Sequence, residues 1–543
     1  MNIRVLMAWL LISLALPSYA ARAKSQWRTY ATTDGRHVTA RLWGDEWQHC
    51  YVGIDGTRYE LEDDRRLVPV DAFAPPAQPS SASTSRPRRI SLNRRTSWDP
   101  NQTYRQLVVL VEFSDKKFDS SHSQSFYKRL FNEPGFNQGR GPGCVADYFR
   151  DQSGGLFNVF FDVVGPVTVD YSATTSSSRA ASVFRSALSQ VQQQVVLSNY
   201  DWGKREVEQV VFIYAGYSGN EDEAVAKGCI WPATDSFISF SLQGYPINTW
   251  SASAELWASD TSCGIGTICH EYSHCLGLPD LYPTMGSEYS VYDEWDLMDG
   301  GNFSDDGWCP CNYSIHEKML LSWDSPLLLE SPVAVADLKP LSQGGQAYII
   351  YNDAEGLDAD EFYLLENRQW TGWDACLPGH GLLISHIDYS GYHWTSNLVN
   401  VSPSHHRSDL FHADDHDYNY YEDLYGMTAP YEENHNLRLQ NSAYPFEANN
   451  SLTDTSQPAA ILFNANRQGS LLMGKPLTQI AETLGSVSFK FCEDDHSGVP
   501  ALRVDHAKEA YSLDGRRLSP HAVHRPGLRI AVDSAGKILK LCR

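Results

Sequence analysis

The stretch His270-Glu271-Tyr272-Ser273-His274-Cys275-Leu276-Gly277-Leu278-Pro279-Asp280 decides how this sequence is interpreted. Residues four apart lie on one face of a helix, so His270 and His274 are predicted to direct their imidazoles at a common point. Glu271 is next to His270 and is predicted to lie beside that point. Paired imidazoles with an adjacent carboxylate indicate a zinc site with a built-in base.

The end of the stretch predicts a third ligand. Gly277 can end the helix in the left-handed conformation, and Pro279 keeps the chain from resuming it, so Asp280 can turn back toward the imidazoles. Three protein ligands leave a fourth zinc position for water. Four later carboxylates remain as alternatives to Asp280, although Asp and Glu there can equally serve a hydrogen-bonded or solvated loop: Asp293, Glu294, Asp296 and Asp299.

The flanking residues favour a helix. Thr267 can cap its first turn, and apolar residues that follow at helical spacing are expected to pack inward. In such a site zinc polarises the scissile carbonyl and lowers the pKa of its water to about 7, while Glu271 accepts the water proton and passes it to the leaving amine. The reaction expected from these residues is peptide hydrolysis.

The segment 264–282, followed by Trp295-Asp296-Leu297-Met298-Asp299-Gly300-Gly301, resembles the immune inhibitor A family of secreted bacterial zinc metallopeptidases, which is similar to the metzincins. The resemblance extends over segments 105–113, 146–153, 161–166 and 452–455. It implies that Met298 is the Met-turn, an apolar floor beneath the metal-binding histidines.

Amino-acid composition and turn-forming residues divide the chain into segments. Residues 1–20 combine a basic start, a short apolar run and small residues before Ala20, as in a signal peptide. Residues 21–73 are predicted to be a small β-rich prodomain, and 74–100 a linker rich in Pro, Ser and Arg. Within that linker, Arg88-Arg89 and Arg94-Arg95 are candidate cutting sites for an activating protease.

The rest of the chain is predicted to be catalytic and then β-rich. Residues 101–325 show strand, helix, strand and active-site helix in the order of a zincin sheet, with elements expected at 107–113, 182–197 and 207–214. Residues 326–494 have short aromatic and β-branched runs, which indicate an all-β accessory region. Residues 495–543 resemble a linker and a C-terminal sorting tail. The predicted fold class is α+β, with a metzincin-like zincin domain.

Two residues are candidates for a latency switch in the prodomain. Leu42-Trp43-Gly44-Asp45 resembles the Phe-x-Gly-Asp of astacin-type propeptides, in which the Asp takes the open zinc position, and Cys50 offers a thiolate instead. Asp45 can also be an ordinary turn residue and Cys50 a buried or disulfide-bonded one.

Calcium is a second cofactor to consider. Members of the resembled family carry alternating Asp and Gly where this chain reads Asp201-Trp202-Gly203-Lys204-Arg205, and the two cations speak against calcium there. An acidic loop at 411–431 offers carboxylates without regular ligand spacing, which is also typical of a solvated loop: Asp414, Asp415, Asp417, Glu422 and Asp423.

Charge and length limit the remaining functions. A net charge of -23 argues against nucleic acid or an anionic membrane as partner, and the sequence shows no apolar run long enough for a transmembrane span. The chain is expected to be a zymogen of a secreted or surface-attached zinc endopeptidase that acts on proteins or peptides. The alternative is a surface-attached binding protein or adhesin with a vestigial zinc site. Hydrolysis of something other than peptides is a third possibility.

Overall fold

The computed structural model describes residues 19–24, 27–45, 49–62, 65–70, 98–237, 239–284, 291–354, 360–402, 404–415 and 439–493, with four strands beyond. Most of the expected signal peptide, the Arg88-Arg89 and Arg94-Arg95 cutting sites, and Asp417, Glu422 and Asp423 of the acidic loop lie outside the described residues. The chain forms two compact units, residues 1–493 and 494–543, and each is described by itself.

The N-terminal part is an antiparallel sheet. Strand β1, Tyr19–Ala20, precedes five strands that pair in sequence order, at β2 Arg28–Ala31, β3 His37–Gly44, β4 His49–Gly53, β5 Arg58–Leu61 and β6 Leu67–Pro69. Gly35 and Gly56 have positive φ of 86° and 77° in the tight turns that join these strands. Alternating apolar residues of the sheet form a small core of their own with Trp231. The sheet falls inside the range predicted as prodomain.

A seven-stranded sheet forms the middle of the first unit. Its strands are β7 Thr103–Glu112, β8 Asn158–Thr168, β9 Val207–Tyr217, β10 Ala233–Ser236, β11 Ser241–Leu242 and β12 Tyr245–Leu256, together with β1. The order β1-β10-β12-β9-β7-β8 makes β7, β8, β9 and β12 parallel, whereas β10 runs antiparallel beside β12. The antiparallel strand β10 is paired on its outer side with β1.

Helices cover both faces of this sheet, at α1 Gln124–Asn132, α2 Val145–Gln152, α3 Ala180–Val191, α4 Glu223–Ala226, α5 Gly266–Leu276 and α6 Ile315–Leu320. Successive residues of β7 point to opposite faces, so its apolar run serves two cores. Val108 and Leu110 join the core that contains α5, whereas Leu107 and Val109 join the core that contains α3. Burial on both faces explains why this strand is almost continuously apolar.

The region after α6 is mostly strand. It contains β13 Leu327–Leu328, β14 Val333–Leu338, β15 Tyr348–Tyr351, β16 Glu361–Arg368, β17 Gly381–Asp388, helix α7 Gly391–Thr395, β18 Ser408–Leu410, β19 Leu477–Thr483 and β20 Ser486–Phe491. These strands form a five-stranded sheet, β13-β15-β16-β17-β18, and a three-stranded one, β14-β20-β19. One hydrophobic core runs from Tyr104 to Ala443. The β-rich region therefore packs against the same core as α5.

The second unit contains a four-stranded antiparallel sheet of β21 Glu509–Tyr511, β22 Arg517–Leu518, β23 Arg529–Val532 and β24 Ile538–Leu541. None of the helices in the described part of the chain is long and apolar enough to cross a membrane. The many strands and few helices are compatible with the predicted α+β class.

Candidate metal centre

Helix α5 is held closely at its start. A Cβ on Gly266 would lie 1.9 Å from the carbonyl oxygen of Asn302, so only glycine lets the helix begin against this neighbouring loop. The prediction that Thr267 caps the helix is wrong. The helix begins after Ile265 without a side-chain cap, and the Thr267 hydroxyl is buried within the first turn without a hydrogen-bond partner. Packing of the glycine, rather than capping, positions this end.

The end of α5 is as predicted. Gly277 has φ 114° and ψ 15°, in the left-handed region, and its N–H donates to the carbonyls of Ser273 and His274. The chain then turns, and Asp280 returns to the two imidazoles. Asp280 Oδ1 lies 3.2 Å from Nε2 of His270 and 3.2 Å from Nε2 of His274. Among the described residues, one group of His, Cys, Asp or Glu side chains has converging ligand atoms, and it consists of His270, His274 and Asp280.

The protonation of the imidazoles indicates a cation between them. His270 Nδ1 lies 2.8 Å from the carbonyl of Leu297, and His274 Nδ1 lies 2.7 Å from that of Leu278. A carbonyl only accepts, so each Nδ1 carries the proton and each Nε2 presents a lone pair. His270 Nε2 and Asp280 Oδ1 are buried without a hydrogen-bond partner, and His274 Nε2 lies 3.2 Å from the same oxygen. Three converging lone pairs repel one another unless a metal ion binds them, so this donor set fits zinc.

Glu271 lies next to the ligands on the same helix. The Thr234 hydroxyl of β10 donates to its Oε2 at 2.9 Å, and the N–H of Ala21 donates to its Oε1 at 2.9 Å. Burial raises the pKa of the Glu271 carboxyl to about 8, with His270 opposing the rise and Asp280 adding to it. A cation at the neighbouring ligands favours the ionised form, which a general base requires.

The loop that contains Met298 packs beside the ligands. Met298 is fully buried in the core, and its carbonyl accepts from the N–H of Leu281, just after Asp280. The adjacent Leu297 supplies the carbonyl that orients His270. The four alternative ligands, Asp293, Glu294, Asp296 and Asp299, lie in this loop, and none of them belongs to the ligand group. Asp296 Oδ1 accepts from the N–H of Met298 and so shapes the loop.

Asn397, in the β-rich region, contributes to the site and was not predicted. Its Nδ2 donates to Asp280 Oδ2 at 2.6 Å, and its Oδ1 accepts from the N–H of Asp280 at 2.7 Å. Asn397 is buried and has φ 54°. These two bonds fix the carboxylate so that Oδ1 faces the imidazoles. No local pattern marks this asparagine, because it lies 117 positions away in the sequence.

Other candidate residues lie elsewhere. Asp45 and Cys50, the predicted latency residues, are buried in the N-terminal sheet and are not brought into the ligand group. Their expected direct contact with the metal is therefore not seen; Cys50 instead pairs across the sheet with Trp43.

The two proposed calcium positions show no converging ligands among the described residues. Asp201 uses one oxygen, Oδ1, to accept the N–H groups of Gly203, Lys204 and Arg205, which is a turn rather than a metal site. Asp414 and Asp415 are described, but neither belongs to a converging group. Calcium is unsupported at both places.

Residues 246–321 match the model of the immune inhibitor A peptidase M6 catalytic domain. The matched segment contains α5, the three converging ligands, Glu271 and Met298. Fold and site thus define a metallopeptidase catalytic domain. The match supports the immune inhibitor A family that the resemblance of the sequence predicted. A comparison with curated proteins found no match.

Proposed function

We propose that this chain is a secreted zinc-dependent endopeptidase, made as a zymogen, that hydrolyses peptide bonds in extracellular proteins. The observation that supports it most is the convergence of three buried lone pairs, from His270, His274 and Asp280, beside the carboxylate of Glu271. When bound, zinc polarises a carbonyl and lowers the pKa of water to about 7.

Glu271 is the general base in this proposal. It lies next to a ligand on α5, where its carboxylate would take a proton from the attacking water and hand that proton to the leaving amine. Thr234 holds one carboxylate oxygen, which leaves Oε1 for the proton transfer. In the structure Oε1 accepts from a backbone N–H, which is the kind of group that a leaving amine presents.

Strand β10 supports a polypeptide substrate. It is the last strand of the sheet before β1, and its Thr234 contacts Glu271. An extended peptide can add to such an edge through main-chain hydrogen bonds, independent of its sequence. This geometry suits a protein chain better than a compact small molecule.

The zymogen proposal is supported by the N-terminal segment 21–24, which follows the predicted signal peptide and whose Ala21 N–H donates to Glu271 Oε1. Neither Asp45 nor Cys50 has to reach the metal for the prodomain to cover the site. Cutting within the 86–96 stretch would separate the prodomain from the catalytic part, after which the segment is held only by non-covalent contacts.

Hydrolysis of casein by the secreted, activated protein tests the proposal. We expect activity that a chelator removes and zinc restores, and that falls on the order of 10²–10⁴-fold in Glu271→Gln while bound zinc remains. Glu133→Gln, at an exposed ion pair on α1, is the matched control and should keep full activity. Casein cleavage that persists unchanged in Glu271→Gln would refute the mechanism. The adhesin alternative gains no support, since the β-rich region supplies Asn397 to the site.

A further inference from the structure

The N-terminal segment places an arginine in an acidic recess beside the metal centre. Arg22 Nη2 lies 2.5 Å from Asp293 Oδ1, and its Nη1 lies 2.7 Å from Asp299 Oδ1. The side chains of Arg22, Asp293 and Asp299 are 12%, 9% and 0% exposed. Each of the two carboxylates makes a charge-assisted hydrogen bond to a different nitrogen of the guanidinium. Because the carboxylates are buried, the recess favours a positively charged side chain.

The recess is built into the loop that contains Met298. Asp299 Oδ2 accepts from the N–H groups of Tyr292 and Asp293, at 3.0 and 2.8 Å, which fixes its other oxygen toward Arg22. A Cβ on Gly300 would lie 2.6 Å from Asp293 Oδ1 and 2.7 Å from Arg22 Nη2, so the glycine leaves room for the guanidinium. Since Leu297 of the same loop orients His270, the recess and the metal ligands are rigidly connected.

The segment lies in the register of a substrate. Ala20 pairs antiparallel with Ala233 of β10, as an added peptide strand would. The next nitrogen, that of Ala21, donates to Glu271 Oε1 at 2.9 Å. Under the proposed mechanism this carboxylate delivers its proton to the leaving amine, so the nitrogen of Ala21 lies where the amine of a cut bond would lie. Removal of the predicted signal peptide after Ala20 would leave this nitrogen as the amino end of the segment. Arg22 then corresponds to the second residue on the amine side of the cut bond.

We infer that Asp293 and Asp299 form a specificity subsite for a basic side chain, arginine above all, at the second residue after the cleaved bond. The inference rests on the proposed peptidase function and names its substrate class. Arg22 occupies this subsite in the structure as a built-in mimic of substrate. A planar guanidinium matches two separated carboxylates better than the compact ammonium of lysine.

Paired fluorogenic peptides test the inference on the secreted, activated protein. The peptides are identical except for the second residue after the cut bond, which is arginine or its neutral isostere citrulline. We expect kcat/KM to be roughly 30-fold or more higher for arginine, because the neutral side chain leaves two buried carboxylates unpaired. This comparison uses unaltered protein, so it does not depend on how a variant folds. Equal kcat/KM for the two peptides would overturn the subsite.

Substitutions of the two carboxylates test whether the preference for arginine arises in this recess. Asp293→Asn and Asp299→Asn should each reduce the arginine-to-citrulline ratio at least about 10-fold, as expected when one partner of a buried charge pair is removed. Asp162→Asn is the matched control. Asp162 lies on β8, at the opposite edge of the same sheet, and pairs with Arg105 of β7, so the ratio of this variant should be unchanged. A ratio that survives both substitutions would place the preference elsewhere and overturn the assignment. Failure to cleave either peptide, with no effect of Glu271→Gln on casein, would instead refute the peptidase function itself.

Discussion

Asn397 is the residue whose role depends most on three-dimensional structure. Its amide binds both Asp280 Oδ2 and the Asp280 N–H, and its φ of 54° is one that glycine adopts without strain. We expect Asn397→Gly to lower zinc affinity by about 10–100-fold, because the ligand carboxylate loses its orientation. Competition with a chromogenic chelator measures this affinity. Asn466→Ala, which replaces a buried asparagine within the loop 464–472, should leave zinc affinity unchanged.

The pH dependence of specificity follows from Asp299. Burial raises the pKa of this carboxyl to about 6, the Arg22 guanidinium lowers it, and Asp293 raises it again. Besides these groups, the N–H donors of Tyr292 and Asp293 face it. Protonation removes the negative charge that pairs with arginine, so the preference should be full above this pKa and lost as the pH falls through it.

The measurement is the arginine-to-citrulline ratio of kcat/KM between pH 5 and 8. The ratio cancels any titration of the catalytic groups, because both peptides meet the same zinc site. We expect it to fall as the pH is lowered, beginning above pH 6, because the activated enzyme lacks the Arg22 guanidinium that lowers the pKa of Asp299. A ratio that is constant over this range would exclude Asp299 as the charged partner.

Among the structural elements, helix α5 was the most predictable from sequence. The spacing of His270 and His274 and the stop at Gly277 are local signals, and both are present in the structure as expected. Strand β17, Gly381–Asp388, falls in the region predicted to be β-rich, and its eight residues are all buried. Thr267 was misjudged, because close packing of Gly266 against Asn302 overrides the usual capping preference.

Elements without a strong local pattern were missed. Strand β10 is short and its sequence, Ala233–Ser236, has no marked strand propensity, yet it forms the edge beside Glu271. The two-residue strand β1 falls at the predicted end of the signal peptide, where sequence gives no reason to expect pairing. Long-range contacts of this kind depend on the assembled sheet, so they cannot be deduced from periodicity.

Gly277→Ala tests the turn that delivers Asp280. A Cβ is strained at φ 114°, so we expect the free energy of unfolding to fall by about 1–3 kcal/mol and zinc affinity to fall with it. Calorimetry and chelator competition measure the two effects. Gly135→Ala, at φ 75° with open space around its Cβ, should show strain without loss of zinc affinity. Equal zinc affinity in both variants would mean that the turn does not position Asp280.

For the whole molecule, the N-terminal sheet and the catalytic part are linked through Arg22. We expect Arg22→Gln to raise the activity of the uncut chain several-fold, because two buried carboxylates lose their partner and the segment is released more readily. The assay uses a chain whose Arg88, Arg89, Arg94 and Arg95 are replaced by alanine, so that activation does not interfere. Arg36→Gln, at an exposed pair in the same sheet, should leave the low activity unchanged. Identical activity of both variants would show that Arg22 does not maintain latency.

The organisation of the chain was only partly accessible from sequence. The succession of a β-rich start, a mixed middle and a β-rich end follows from composition and period, and the structure has strands and helices in that succession. The sequence does not predict that the later β-rich region shares a core with α5, or that it holds Asp280 through Asn397. These contacts join residues that are far apart in the chain.

Zinc-edge anomalous diffraction from crystals of the secreted protein shows whether zinc is bound at the predicted ligands. We expect a zinc peak bound by Nε2 of His270, Nε2 of His274 and Oδ1 of Asp280, with Glu271 beside it but not bound. Absence of a peak there, or imidazoles that point away from each other, would contradict it.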